Sequence, residues 1–240
     1  MERPLWVTVK GTMDSVARHE PEVAKALFES EHAIALNGRA GAIDARSWAS
    51  IAAFETDLET GAIPDEVRVV MYDPERWKHT PPHEQLHPIP AIERFGALAA
   101  EHGFTRIVTP HPGLVSVEGS AFGRRRGESE EDAYARSGIT QAAARAAEIV
   151  ETQAQRLQND PEAYRRVVER TARHARDANP DVWVLSGLAT QPGHPATPEI
   201  LLAAWESVRD VVDGHYISLS NMKHPEVMAT FLRLVLERST

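Results

Sequence analysis

The chain is predicted to be an α/β protein of the (βα)8 TIM-barrel type, with an open doubly wound sheet as the alternative. Three observations carry this. Short β-rich runs alternate with helical patterns along the chain, which implies a parallel sheet covered by helices. The β-rich runs begin roughly 30 to 40 residues apart, the spacing of βα units. No G-x-G-x-x-G follows the first run, where a dinucleotide-binding doubly wound sheet would carry it. The 240 residues suit one barrel of roughly 250 residues, so a single domain is expected over 1–240.

Seven strands are expected: Leu5–Val9, Ala33–Leu36, Val67–Tyr72, Thr105–Thr109, Glu148–Gln153, Val182–Leu185 and His215–Leu219. Either an eighth lies in the irregular Leu114–Gly127 stretch or the barrel is incomplete. The helices between them are clearest in three apolar stripes. Ile92, Phe95, Leu98 and Ala99 form one, and Leu201, Ala204, Trp205, Val208, Val211 and Val212 a second. Val227, Phe231, Leu234 and Val235 form the third, all at helical spacing. Asp160 before Pro161 and Thr197 before Pro198 read as N-cap and first helical residue. Ser129 with Asp132 resembles a capping box. Gly103 and Gly214 follow helical stripes and suit the left-handed residue beyond a helix end. Trp183, inside a strand, is expected in the core.

Composition narrows the function. The absence of cysteine rules out disulfides, thiolate catalysis and Cys-based zinc sites. A formal charge of −9 argues against nucleic acid as a partner. The start, Met1-Glu2-Arg3-Pro4-Leu5-Trp6, has no apolar signal-peptide core. No apolar run approaches the roughly 18 residues a membrane span needs. No membrane association and a cytoplasmic location are therefore expected.

In a barrel, residues at the carboxyl ends of the strands converge on one mouth. Those ends hold Lys10, Asn37, Asp73, Glu75, His111, Gln153, Gln155, Ser186, Ser218 and Asn221. The sharpest segment is Val69-Val70-Met71-Tyr72-Asp73-Pro74-Glu75-Arg76-Trp77. In extended chain, residues two apart point to one face, so Asp73 and Glu75 share a pocket. Crowded carboxylates repel, so one keeps its proton while the other stays ionised. Trp77 offers a flat wall for a sugar ring or another planar ligand. The plainer alternative makes Asp73 an Asx turn before Pro74 and pairs Glu75 with Arg76 or Arg106. Gln153 and Gln155 likewise share a face, where amides bind hydroxyls or orient a carboxylate; ordinary loop capping is the alternative.

His83-Glu84-Gln85-Leu86-His87 matches the H-E-x-x-H zinc motif, which needs about two turns of helix. Pro88 pushes His87 out of helical conformation, so histidines in a proline-rich loop are the better reading. His194 sits in a turn-rich loop, Gln191-Pro192-Gly193-His194-Pro195. The Gly119–Glu131 segment, with Arg124-Arg125-Arg126, is either a lid that meets an anionic substrate or a solvated surface loop.

Tyr72-Asp73-Pro74-Glu75-x-Trp77-x-x-Thr80-Pro81-x-x-Glu84-Gln85-x-x-Pro88 resembles a pattern of poorly characterised bacterial (βα)-barrel proteins, distantly glycoside-hydrolase-like. Gln153-Ala154-Gln155 and Ser186-Gly187-Leu188-x-Thr190 look like its companion motifs, and the resemblance spans residues 60–220. It implies a barrel, and it makes Glu84-Gln85 part of a loop signature. The Asp-x-Glu at a strand end also looks like the acidic motif of chitinase-like and lysozyme-like barrel glycosidases. The longer chitinase run of alternating acids is missing.

The leading expectation is a glycoside-cleaving hydrolase acting on a small molecule or carbohydrate, without a cofactor or metal. Glu75 acts as general acid and Asp73 orients it or stabilises positive charge. Tyr72, Trp77, Gln153, Gln155, Asn37, His111 and Asn221 bind substrate. The alternatives are a non-hydrolytic lyase, isomerase or cyclase using the same acid, a non-catalytic binding barrel, and, last, a zinc hydrolase through His83 and His87.

Overall fold

A computed structural model describes residues 5–38, 41–190, 196–219 and 222–239. Among the described residues, eight parallel strands run in chain order and close into a barrel. They are β1 (Leu5–Val9), β2 (Ala33–Leu36), β3 (Ile43–Trp48), β4 (Val69–Tyr72), β5 (Thr105–Val108), β6 (Ile149–Thr152), β7 (Trp183–Ala189) and β8 (Gly214–Ser218). The strand that sequence reading misses is β3. The Leu114–Gly127 stretch, offered as its place, begins instead within a 3-10 turn, Pro112–Ser116.

The reason β3 escapes detection is its composition. Ile-Asp-Ala-Arg-Ser-Trp buries only Ala45 and Trp48, so it lacks the continuous apolar run of a strand covered on both faces. It also breaks the βα rhythm, because β2 and β3 pair in parallel with no helix among the described residues between them. Parallel partners usually need a crossover of a dozen or more residues. Here Asn37 (φ 71°) and Gly38 (φ 69°) turn the chain in the left-handed region. The Asn37 N–H then donates to the Ala45 carbonyl at 2.8 Å.

The chain divides into two compact units. The first comprises Met1–Ala45, Ala154–Glu169 and Leu185–Thr240. It contains α1 (Lys10–His19), α2 (Pro21–Phe28), α9 (Pro198–Val208) and α10 (Pro225–Ser239). Its core joins Trp6 of β1 to Met13, Phe28, Leu188, Leu201, Trp205, Ile217 and Phe231, all buried. Thr197 caps α9 by accepting from the Ile200 N–H, and Asp160 accepts from the Ala163 N–H at the start of α8 (Pro161–Ala178), as their positions before proline predict. Gly214 is not a helix cap: it opens β8, where a Cβ would lie 2.3 Å from the Leu5 carbonyl oxygen. Lys10 begins α1 and pairs with Asp14, one turn on.

The second unit comprises Arg46–Gln153 and Arg170–Val184. In it β4, β5 and β6 pair in register, Tyr72 beside Val108 and Val108 beside Val150. Covering them are α3 (Ile51–Glu59), α4 (Pro82–Leu86), α5 (Pro88–Glu101), α6 (Glu130–Ser137) and α7 (Ile139–Ala146). Ile92, Phe95 and Ala99 of α5 are buried, as the stripe predicts, and Gly103 (φ 74°) follows that helix in the left-handed region. Ser129 caps α6 through the Asp132 N–H at 3.0 Å. At the entry end of the strands, Arg106 of β5 is clasped by Glu148, which accepts from its guanidinium and its backbone N–H. Trp183 is not core; as the first residue of β7 it is 39% exposed.

Candidate functional site

The site grows out of strand alternation at the end of β4. Tyr72 points away from the barrel interior, where its ring stacks on Phe95 of α5 with centroids 5.5 Å apart. Asp73, the next residue, therefore faces the opposite way. Its N–H still donates to the Trp48 carbonyl at 2.9 Å, and Thr109 N–H donates to the Tyr72 carbonyl at 3.0 Å. The exits of β3, β4 and β5 thus stay laddered one residue beyond the strands. Asp73 and Thr109 come side by side, and the Thr109 hydroxyl donates to Asp73 Oδ1 at 2.7 Å.

From β6, Gln153 reaches the same oxygen: its Nε2 lies 3.2 Å from Asp73 Oδ1 and 2.7 Å from the Thr109 carbonyl. The Glu75 carboxyl hydrogen-bonds Asp73 as well. Burial is the main cause that pushes the Asp73 acid up to about 6, against the opposing hydrogen bonds from Thr109, Gln153 and Glu75. Two carboxyls in contact disfavour a second charge, so the titration of Asp73 is coupled to that of its neighbour. The Asx-turn reading of Asp73 and the Glu75–Arg106 pairing give way here, since Asp73 serves Thr109 and Gln153 and Arg106 serves Glu148.

The remaining motif residues build the loop that carries these acids. Thr80, buried, accepts from Glu75 N–H at 3.1 Å and from the Trp77 indole N–H at 2.9 Å. Gln85 donates to the carbonyls of Trp77 and Thr80. Glu84 is 3% exposed and accepts from the Tyr72 hydroxyl at 2.7 Å, the Ser50 hydroxyl and the Ile51 N–H, which opens α3. Burial, then the Glu84 hydrogen bond, pushes the Tyr72 phenol far up, so it keeps its proton. The Tyr72 hydroxyl is therefore committed to the wall behind the mouth. Trp77 is 40% exposed, its indole edge-on to His79 at 4.9 Å.

His111 lies beside the acids. Its N–H donates to the Pro74 carbonyl at 3.1 Å, and its Nδ1 accepts from the Gly113 N–H at 2.9 Å. An accepting Nδ1 places the ring proton of the neutral imidazole on Nε2. Gly113 is needed for this approach, since a Cβ there would sit 2.9 Å from Nδ1. Glu151, buried on β6 two residues before Gln153, shares its strand face. Sequence reading passed over both Glu151 and Thr109. The i, i+2 rule applied backwards from Gln153 identifies the first, and the neighbouring strand exit identifies the second.

Two other expected site residues, Gln155 and Asn37, fall in the first unit. Gln155 belongs to the first unit, in a 3-10 turn, Gln155–Leu157, so strand alternation ends before it. Asn37, also in the first unit, is the exposed left-handed residue of the β2–β3 turn. Asn221 and His194 lie outside the described residues. In H-E-x-x-H, α4 spans only five residues and His87 has left it (φ −128°, ψ 61°). Both histidines are exposed while Glu84 is buried on Tyr72. Among the described residues no group of three or more His, Cys, Asp or Glu is arranged to hold a metal ion, and no helix is long and apolar enough to cross a membrane. In the Gly119–Glu131 loop, Arg124 donates to the Glu128 carbonyl, while the Glu128 carboxylate holds Arg136 and the Arg125 N–H.

No protein-family model matches the chain, and no curated protein matches it. Among solved structures it is similar to hydroxymethylglutaryl-CoA lyase from Pseudomonas aeruginosa, with 14% identity and a TM-score of 0.52 over 91% of this chain and 76% of that one. It is also similar to the spore cortex-lytic enzyme SleL of Bacillus megaterium, with 8% identity and a TM-score of 0.48 over 98% and 73% of the two chains. A third match is AbfB, a family 51 α-L-arabinofuranosidase from Bifidobacterium longum. It has 14% identity and a TM-score of 0.38 over 70% of this chain and 41% of that one. At such identities the likeness to the lyase is one of fold: the chain is built on the barrel that it shares with that enzyme.

Proposed function

We propose that this chain is an acid-catalysing barrel enzyme of the glycoside-cleaving kind, acting on a neutral carbohydrate or small glycoside. The observation that carries the reading is the hydrogen-bonded Asp73–Glu75 pair at the carboxyl end of β4. Glu75 gives its proton to the leaving-group oxygen as the glycosidic C–O bond breaks, and the bonding electrons go to that oxygen. Asp73 orients Glu75 and faces the positive charge growing on the sugar. Trp77 supplies a flat contact for the ring, and Gln153 and His111 bind hydroxyls.

The closeness of the acids shapes the mechanism. Glycosidases that use two flanking carboxyls hold them about 5 Å or more apart. Acids in mutual hydrogen bond work from one side of the scissile bond, so the attacking group comes from water or from the substrate. The same shared proton supports a second reading, a lyase, isomerase or cyclase that delivers it to carbon or to an alkoxide.

The test is turnover of a panel of aryl glycosides and oligosaccharides by the wild-type chain and by Glu75→Gln. Loss of a positioned acid lowers kcat by about 100- to 10,000-fold. Full activity of Glu75→Gln on a substrate that the wild type cleaves overturns the reading. Products carrying 18O from labelled water mark hydrolysis, and turnover without it moves the assignment to the second reading.

A further inference from the structure

The hydrogen bonds around Asp73 do not treat the two acids alike. The Thr109 carbonyl can only accept, and a Gln153 side-chain atom lies 2.7 Å from it. The amino end of the Gln153 amide must occupy that position, because two acceptors would repel there. That nitrogen has a second proton, and Asp73 Oδ1 lies 3.2 Å away to receive it. The Thr109 hydroxyl supplies another donor to the same oxygen. Donors converging on one oxygen favour the ionised acid. Both are uncharged, so they oppose the burial that pushes the Asp73 acid up without cancelling its charge.

We propose that Thr109 and Gln153 are positioning residues that hold Asp73 as the carboxylate and so assign the shared proton to Glu75. This rests on Glu75 as the acid catalyst, a role that requires the shared proton to sit on Glu75 when substrate is bound. The backbone adds to the asymmetry. The Glu75 N–H is anchored on Thr80 and the Asp73 N–H on the Trp48 carbonyl, which holds the two carboxyls in fixed relation. The neighbouring elements of this unit carry the titratable groups Tyr72 on β4, His111 after β5, Glu151 on β6 and Tyr134 on α6, the last pushed up by burial and by Glu151. Tyr72 is held protonated by burial and by Glu84.

The test is a 13C-carboxyl NMR titration of the full chain with labelled Asp and Glu side chains, Asp73→Asn serving to assign the Asp73 signal. It compares wild type, Thr109→Val, Thr109→Ser and Gln153→Leu. A hydrogen bond to a charged group contributes about 1.5 kcal/mol or more, equivalent to about one pH unit. Loss of either donor is expected to raise the midpoint of the Asp73 signal by about that much. Thr109→Ser, which keeps a hydroxyl, is expected to return it to the wild-type value. Each donor is removed separately, so a fold defect in one variant leaves the other to decide. An unmoved or lowered midpoint in a folded Thr109→Val or Gln153→Leu protein overturns the assignment. The titration needs no substrate, so its outcome is independent of whether Glu75→Gln abolishes glycoside cleavage.

Discussion

Asp73 and Glu75 flank Pro74 and hydrogen-bond each other through their carboxyl groups. A buried acid of this kind makes stability depend on pH. The folded state pushes Asp73 up to about 6 from an unfolded value of 3.8. Its contribution is complete below the unfolded value and is lost as pH rises through about 6. A shift of about two units corresponds to about 3 kcal/mol at most, spread over that window. Urea melts at successive pH values should show Asp73→Asn gaining on wild type between about pH 4 and pH 6. Parallel wild-type and variant curves would remove the buried acid from the account.

Glu84 is a structural acid, and its loss should be felt in stability. It accepts from Tyr72, Ser50 and Ile51 in one buried place. Tyr72→Phe removes one donor and is expected to cost about 1 kcal/mol, whereas Glu84→Ala strands three polar groups and should cost about 3 kcal/mol. Chemical denaturation of the two variants checks the order. Equal losses would mean that the carboxylate is not the hub of the wall.

Gly96 is fixed by the contact of α5 with α7. A Cβ at Gly96 would lie 2.6 Å from the Ala146 carbonyl oxygen and 2.8 Å from its Cβ. Helix propensity alone favours alanine over glycine by about 1 kcal/mol. Overpacking is expected to reverse that sign, so that Gly96→Ala loses about 1 to 3 kcal/mol. A raised thermal midpoint for Gly96→Ala would show that the helices separate without cost.

These contacts show what sequence reading can and cannot reach. Local chemistry was legible: the caps at Ser129, Asp160 and Thr197 and the contact of Asp73 with Glu75 follow from neighbours in the chain. What escaped depends on partners far away in sequence. β3 was hidden because it has no continuous apolar run and because no helix precedes it among the described residues of its turn. Gly214 resembled a helix cap because the constraint on it comes from Leu5, at the other end of the chain. Tyr72 reads as a mouth residue until Phe95 and Glu84 show which way the strand turns it. Glu84-Gln85 resembled half a zinc motif because the bonds that explain it run to Tyr72, Ser50, Ile51, Trp77 and Thr80.

His215 gives a pH response of the opposite sign. It is buried on β8, its Nδ1 2.9 Å from the Ser186 hydroxyl and its ring against Trp6 and Trp205. Burial pushes its pKa down to about 3 from 6.5, because a charged imidazolium has no water to solvate it there. A histidine depressed in the folded state gives stability that is complete above the unfolded value and is lost as pH falls toward the folded one. Acidification from about pH 6.5 should therefore weaken wild type with a slope approaching 1.4 kcal/mol per pH unit from this group. His215→Gln keeps a polar side chain for Ser186 but cannot take up a proton. It is expected to start less stable at neutral pH and to lose less on acidification. Over the acidic range Asp73 and His215 oppose each other in wild type. Asp73→Asn should thus steepen the acid loss relative to wild type, and His215→Gln should flatten it. Denaturation midpoints for the three proteins between pH 4 and pH 7 decide the matter, since the Asp73→Asn difference curve reports the acid pair and the His215→Gln curve reports the imidazole. A His215→Gln curve that runs parallel to wild type would mean that the imidazole is protonated without cost in the folded chain.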